Sequence, residues 1–276
     1  MTEFDQDPKE LLEKELHIIA EWEEEQKDLW FWEKMLRLPF ALLDKITPTI
    51  VHEYLKKILD ELGSYIQYGG KYLINEAAIL EKLTEKAKLP AHEPLLLHEV
   101  KKLPIQIMNE VATDLIMARR SFATLQGATT GIGGVFTLAI DIPAILGLSL
   151  KVLQEMAITY GYDPHQKKER IFIVKCLQFT SADIVGKRAI LKDLSSFHTG
   201  NQESETISQI EGWREVIATY GENYGWKKLF QLVPILGVFF GAYINRSMIK
   251  DVAETGQMLY RKRRVLAKLE EINQTE

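Results

Sequence analysis

The stretch GATTGIGGVFTLAIDIPAILGLSL, Gly127 to Leu150, decides how this chain is read. It joins five glycines and a long apolar run to an aspartate and a proline near its middle. Three architectures could use such a segment: a phosphate-binding loop, a membrane span, or a closely packed part of a helical domain. A Walker-type loop needs a lysine and a hydroxyl residue after its glycines, to meet the terminal phosphate and Mg²⁺. Here GATTGIGG runs directly into Val135 and Phe136. A dinucleotide-binding turn needs G-x-G-x-x-G after a strand. Gly131-Ile132-Gly133 begins that pattern, but position 136 is Phe and the preceding MARRSFATLQ has helical character. Nucleotide binding is disfavoured on both counts.

The membrane reading is stronger, because Gly131 to Leu150 carries a single charge, Asp141. A spanning helix takes about 20 apolar residues. Asp141 near the centre costs about 2.5–3.5 kcal/mol on insertion scales, and the glycines and Pro143 contribute little in return. The second apolar block, Leu229 to Ile244, is shorter still and ends at Asn245-Arg246. Two short, flawed spans suggest an apolar hairpin packed in protein or lying at a membrane interface, with an integral hairpin as an alternative. Small residues account for both blocks. Gly237 and Gly241 are four apart and Asn245 continues their face, while Gly134, Thr137 and Asp141 do the same in the first block. Such faces let helix backbones approach closely. On this pattern Asp141 pairs with Asn245 or Arg246 where the two faces meet.

Helix signals dominate elsewhere. Asp7-Pro8-Lys9-Glu10 reads as an N-cap with proline at the first helical position, opening a helix that carries Leu12, Leu16 and Ile19 and runs to about Leu38. Thr47-Pro48 repeats the signal, and SYIQYGGKYLINEAAILEKLTEK gives a further helix with a kink at Gly69-Gly70. Three prolines confine LPAHEPLLLHEVKKLP to one short helix before the helical period resumes in IQIMNEVATDLIMARRSFATLQ. Asp163-Pro164-His165-Gln166 is a third cap, opening the helix that holds Cys176. KDLSSFHTGNQESETISQ reads as an exposed loop, and the proline-free run after Pro234 as a long terminal helix. The fold class is therefore all-α: a multi-helix domain centred on the two glycine-rich apolar segments, with a long C-terminal helix.

The 276 residues are 46% hydrophobic and 26% charged, ordinary for a chain that folds. A net charge of −5 offers no overall basic field, so nucleic acid is not an expected partner. A lone cysteine excludes an internal disulfide and fits a reducing compartment. The opening MTEFDQDPKELLEKEL lacks the basic and apolar regions of a secretory signal.

Two segments, GATTGIGGVFTLAIDIPAILGLSLKVLQEMAITYGYDP and VPILGVFFGAYINRSMIKDVAETG, resemble the EcsC protein family. In the first, a glycine-rich segment with Gly131 and Gly134 precedes Asp141-Ile142-Pro143 and ends at Tyr160-Gly161-Tyr162, before Asp163. In the second, Pro234, Gly237 and Gly241 lead to Asn245 and Arg246. The resemblance runs from about Ile66 to Lys268. It divides the chain into an N-terminal helical segment, 1–62, packed on a family-like helical domain, 63–276. It also implies a bacterial protein associated with envelope or secretion functions, since the family takes its name from a gene beside those of an ABC transporter. It brings no catalytic residues and no cofactor.

Catalytic constellations are not legible either. His52-Glu53 begins a zincin motif, but Lys56 stands where the second histidine belongs. His92 and His98 are six apart across a proline, and Ser149 lacks the second glycine of a nucleophile elbow. The basic run Arg261-Lys262-Arg263-Arg264, by contrast, suits anionic lipid headgroups if it faces solvent. The expectation is a non-catalytic interaction or regulatory protein, cytoplasmic and peripheral to the inner face of the membrane, whose partners are that surface or envelope proteins such as an ABC transporter. The alternative is a hydrolase using carboxylates such as Asp141 and Asp251.

Overall fold

The computed structural model describes residues 6–26, 60–69, 74–90, 95–129, 138–181, 184–195 and 248–275, the side chains of 119–129, 138–145, 181, 184–186, 189, 193, 195, 248 and 275 excepted. Among the described residues every regular element is a helix, as the periodicity predicts. They are α1 (Lys9–Glu25), α2 (60–68), α3 (Glu76–Lys86), α4 (Leu97–Val100), α5 (Ile105–Thr129), α6 (Leu138–Thr159), α7 (Lys167–Ser181), α8 (Ile184–Ser195) and α9 (Met248–Thr275). The 28-residue α9 is the axis of the assembly. Helices α1, α5, α6 and α7 all pack on it, α3 bridges α5 and α6, and α8 lies on α7.

The interior follows from helical spacing. On α5, Met108, Val111, Ala112 and Leu115 form one buried stripe. On α6, Leu146, Leu150, Leu153 and Ala157 form another, with Ser149 buried beside them. Helix α7 is buried on every side from Glu169 to Thr180, so it carries Cys176 as interior packing. Burial also pushes the Cys176 thiol up, which keeps it from acting as a thiolate. Where α9 crosses α6, Gly256 takes the place of a side chain. A Cβ there would lie 2.7 Å from Leu153 Cδ2 and 3.4 Å from Met156 Cγ. The close small-residue contact of this fold, among the described residues, is therefore made by Gly256.

Several boundaries differ from the sequence reading. Helix α1 ends at Glu25, with Gln26 as its C-cap, well before Leu38. The Gly69 position is a stop and not a kink: its φ of +72° closes α2, and Asn75 opens α3 by accepting the Ala78 N–H at 3.1 Å. Asp7 does not cap its own helix. Its carboxylate accepts the Ile105 N–H at 3.1 and 3.2 Å, satisfying an orphan donor at the start of α5. At the third cap, Asp163 closes a turn by accepting from the His165 and Gln166 amides. The Arg170 N–H then bonds the Gln166 carbonyl, so α7 starts three residues late.

No helix among the described residues is long and apolar enough to cross a membrane. Of the two glycine-rich segments, Gly127 lies in the last turn of α5, and Asp141 and Pro143 lie in the backbone of α6. Gly131, Gly134, Pro234, Gly237, Gly241, Asn245 and Arg246 lie outside the described residues, and with them the expected pairing of Asp141. Replacing Gly256 with valine forces new methyl groups into the α6–α9 crossing. The variant is expected to lose about 1–3 kcal/mol, read as a lower urea midpoint with an unchanged m-value.

Candidate functional site

Two features singled out in the sequence, the Tyr160-Gly161-Tyr162 turn and the Arg261–Arg264 run, meet in the structure. The turn is the C-terminal cap of α6. Gly161 has a φ of +75°, its N–H bonds the Ile158 carbonyl at 2.9 Å, and the Tyr162 N–H bonds the Ala157 carbonyl at 2.9 Å. This is the Schellman arrangement, which needs a residue at ease in the left-handed region. Glycine is required for space as well, since a Cβ would lie 2.9 Å from the Lys101 backbone nitrogen. The freed carbonyls at the helix end are taken by α9. Arg264 donates to the Tyr160 carbonyl at 2.8 Å and to the Gly161 carbonyl at 3.3 Å.

One residue earlier, Arg263 enters an aromatic cage. Its guanidinium lies 4.1 Å from the ring centroids of Tyr162 and Phe172 and 5.6 Å from that of Tyr260. Glu169 completes the enclosure with a two-pronged ion pair, at 2.7 and 2.8 Å. Burial works against the Arg263 charge, but the hydrogen bonds and charge of Glu169 outweigh it and hold its pKa above the ordinary value. Burial lowers that of Arg264. Burial also raises Tyr160, Tyr162 and Tyr260, so these phenols stay neutral at physiological pH. The Tyr160 hydroxyl donates to Asn109 at 2.9 Å, and Asn109 donates onward to Glu15 at 3.0 Å. Glu15 in turn is paired with Arg261. A second arginine works like Arg264: Arg170 donates to the Ile66 carbonyl at 2.8 Å and to the Gln67 carbonyl at 3.2 Å, sealing the end of α2.

The arrangement is a connected polar network through a helical core, and its chemistry is positional. It satisfies helix ends and neutralises charge. Among the described residues no group of histidine, cysteine and carboxylate side chains could hold a metal. The expectation that the basic run faces solvent is corrected. Arg261, Arg263 and Arg264 are buried, because acceptors from α1, α6 and α7 converge on them, and Lys262 reaches Glu23 at 2.7 Å. In this conformation none of the three guanidiniums is offered to a lipid surface. Sequence reasoning missed the partners Glu15 and Glu169. Each carries a readable signal, since Glu15 lies among the apolar positions Leu12, Leu16 and Ile19, and Glu169 heads the apolar run IFIVKC.

Comparison with known proteins gives the family of the sequence. The sequence model of the EcsC protein family matches residues 13–265. The chain belongs to the EcsC protein family. The match takes in most of α1, which lies upstream of the motifs that carry the resemblance. The chain is 53% identical over 263 residues to the uncharacterized protein YdbA of Bacillus subtilis (strain 168), spanning 95% of this chain and 96% of that one. It is 27% identical over 158 residues to protein EcsC of the same organism, 57% and 64% of the respective lengths. No solved structure matches the chain. Within this EcsC-family fold, the Tyr-Gly-Tyr turn thus has a structural role: it ends α6 and is clamped by the terminal helix.

Two outcomes follow from the geometry. Glu169→Ala strands the Arg263 charge inside the core and is expected to cost about 3–5 kcal/mol. Pairing that change with Arg263→Met should restore most of the loss, as read in a double-mutant cycle of urea unfolding. On α8, burial depresses Lys187 to about 8, with Asp251 opposing, while its ammonium donates to Gln26 at 2.8 Å. Between pH about 8 and 10 the unfolded chain keeps the Lys187 proton and the folded chain releases it, so this residue makes stability rise with pH. The parent should gain stability across that window relative to Lys187→Met. Parallel pH profiles for the two proteins would show that Lys187 is not depressed.

Proposed function

We propose that this EcsC-family chain is a non-catalytic interaction or regulatory component acting at the inner face of the bacterial membrane, linked to envelope or secretion functions. The observation that supports this reading most directly is the network around Arg263. Residues that could have formed a reactive cluster, Glu169 with Tyr162 and Tyr260, instead hold a guanidinium in a two-pronged pair inside a cage, with the phenols kept neutral by burial. Such groups fix helices and do not exchange protons with a substrate. The association of the family name with an ABC transporter supports a partner in the envelope. A membrane protein of that transporter class, or the anionic surface beside it, is the partner this reading takes.

Fractionation of bacteria carrying the chain tests the reading. The protein is expected to sediment with membranes at low salt and to be released by alkaline carbonate, as peripheral proteins are. Retention after carbonate would favour insertion of the apolar segments. Recovery entirely in the soluble fraction at low salt would overturn membrane association.

A further inference from the structure

The basic side of α9 is covered by α1, and the cover is acidic. The two helices run antiparallel, joined by a series of polar contacts. Lys268 donates to Asp7 at 2.6 Å, Lys262 to Glu23 at 2.7 Å, Arg261 pairs with Glu15, and Lys9 donates to Asn273 at 3.2 Å. Leu12, Ile19 and Trp22 are buried along the same face of α1, with Trp22 reaching Phe179 of α7 at a centroid distance of 5.7 Å. The cations of α9 therefore fall into two sets. Arg263 and Arg264 are met by α6 and α7, within the body of the fold. Arg261, Lys262 and Lys268 are met by carboxylates that all come from the segment 7–23.

The difference matters for what α1 can do. If α1 departs, Arg263 keeps its cage and Arg264 keeps the end of α6, while the body gives up the Asp7 cap on the Ile105 N–H and the Asn109 contact to Glu15. What is uncovered is three cations on one stretch of helix, of which Lys268 keeps a second contact, donating to the Leu103 carbonyl at 2.8 Å. Ion pairs of this kind fix register while contributing little net stability, because both partners regain hydration when they separate. The polar side of the contact can be made and released, while burial of Leu12, Ile19 and Trp22 holds α1 in place at rest. An anionic bilayer offers the same chemistry as the α1 carboxylates, negative oxygens spread over a surface that attracts clustered lysine and arginine. We propose that α1 is a displaceable acidic cover, and that the face it uncovers, Arg261, Lys262 and Lys268, binds anionic lipid headgroups. The inference rests on the membrane-surface reading above and supplies its regulation: α1 and lipid compete for one face.

The test uses the full chain with Glu15→Gln and Glu23→Gln together. Two quantities are read: hydrogen exchange over residues 9–25, and flotation with vesicles containing phosphatidylglycerol or phosphatidylcholine alone at low salt. The parent is expected to bind phosphatidylglycerol vesicles weakly. The double variant should exchange at least tenfold faster in α1, keep its protection in α6 and α7, and bind those vesicles at least tenfold more tightly. Adding Lys262→Gln and Lys268→Gln should abolish the gain. If the double variant loses protection in α6 and α7 as well, Glu23→Gln alone makes the same comparison, since that pair is partly exposed. Unchanged exchange in α1 would overturn the proposal and make the helix a fixed part of the fold. Faster exchange without tighter vesicle binding would overturn it too, and would give the uncovered face to an acidic protein helix. Equally strong binding by parent and variant would remove the cover while leaving membrane association standing, whereas failure of membrane association itself shows separately in cell fractionation.

Discussion

A guanidinium carries five N–H donors and a charge it does not give up, so burying three of them within one turn of α9 constrains everything packed around it. Arg261, Arg263 and Arg264 each leave the helix in a different direction. Each is answered by a different element: Glu15 on α1, Glu169 on α7, and the carbonyl end of α6. Their burial is possible because the acceptors converge, and the helices are oriented by having to supply them. The apolar contacts that surround this hub supply most of the cohesion. The arginines decide which way the helices face.

The same logic explains why helix ends recur at the functional features of this chain. Three helix ends, the finishes of α2 and α6 and the start of α5, are sealed by side chains distant in sequence: Arg170, Arg264 and Asp7. Local capping would have made each helix self-sufficient. Capping across the fold makes the end of one element depend on the presence of another, which couples the termini to the core. Asp7 serves both ends of this coupling, since it accepts from the Ile105 amide and from Lys268.

This has a consequence for relatives of the chain. The Tyr160-Gly161-Tyr162 turn, which helps identify the family, is explained by backbone geometry and by the approach of Lys101 and Arg264. Its glycine answers a steric demand, and its tyrosines wall the Arg263 cage and join the Asn109 relay. A motif that marks a family is therefore here a motif of assembly. The Glu-Thr-Gly at the end of the second motif is of the same kind, because Gly256 admits α6 to α9.

The sequence by itself determined the helical class, the short helix between the prolines and the long terminal helix. These depend on local spacing, on proline and glycine, and on hydrophobic period, all of which one chain segment carries alone. Tertiary structure decided the rest. The run RKRR has the composition of a solvated, lipid-facing helix end, and nothing within it reveals that Glu15 and Glu169 lie across from it. Asp7 reads as a cap for the helix it precedes, yet it caps one that begins 98 residues later. A charge is indifferent to whether its partner is near in sequence. Water and a buried carboxylate satisfy it equally well on paper, and only the folded arrangement of distant segments selects between them.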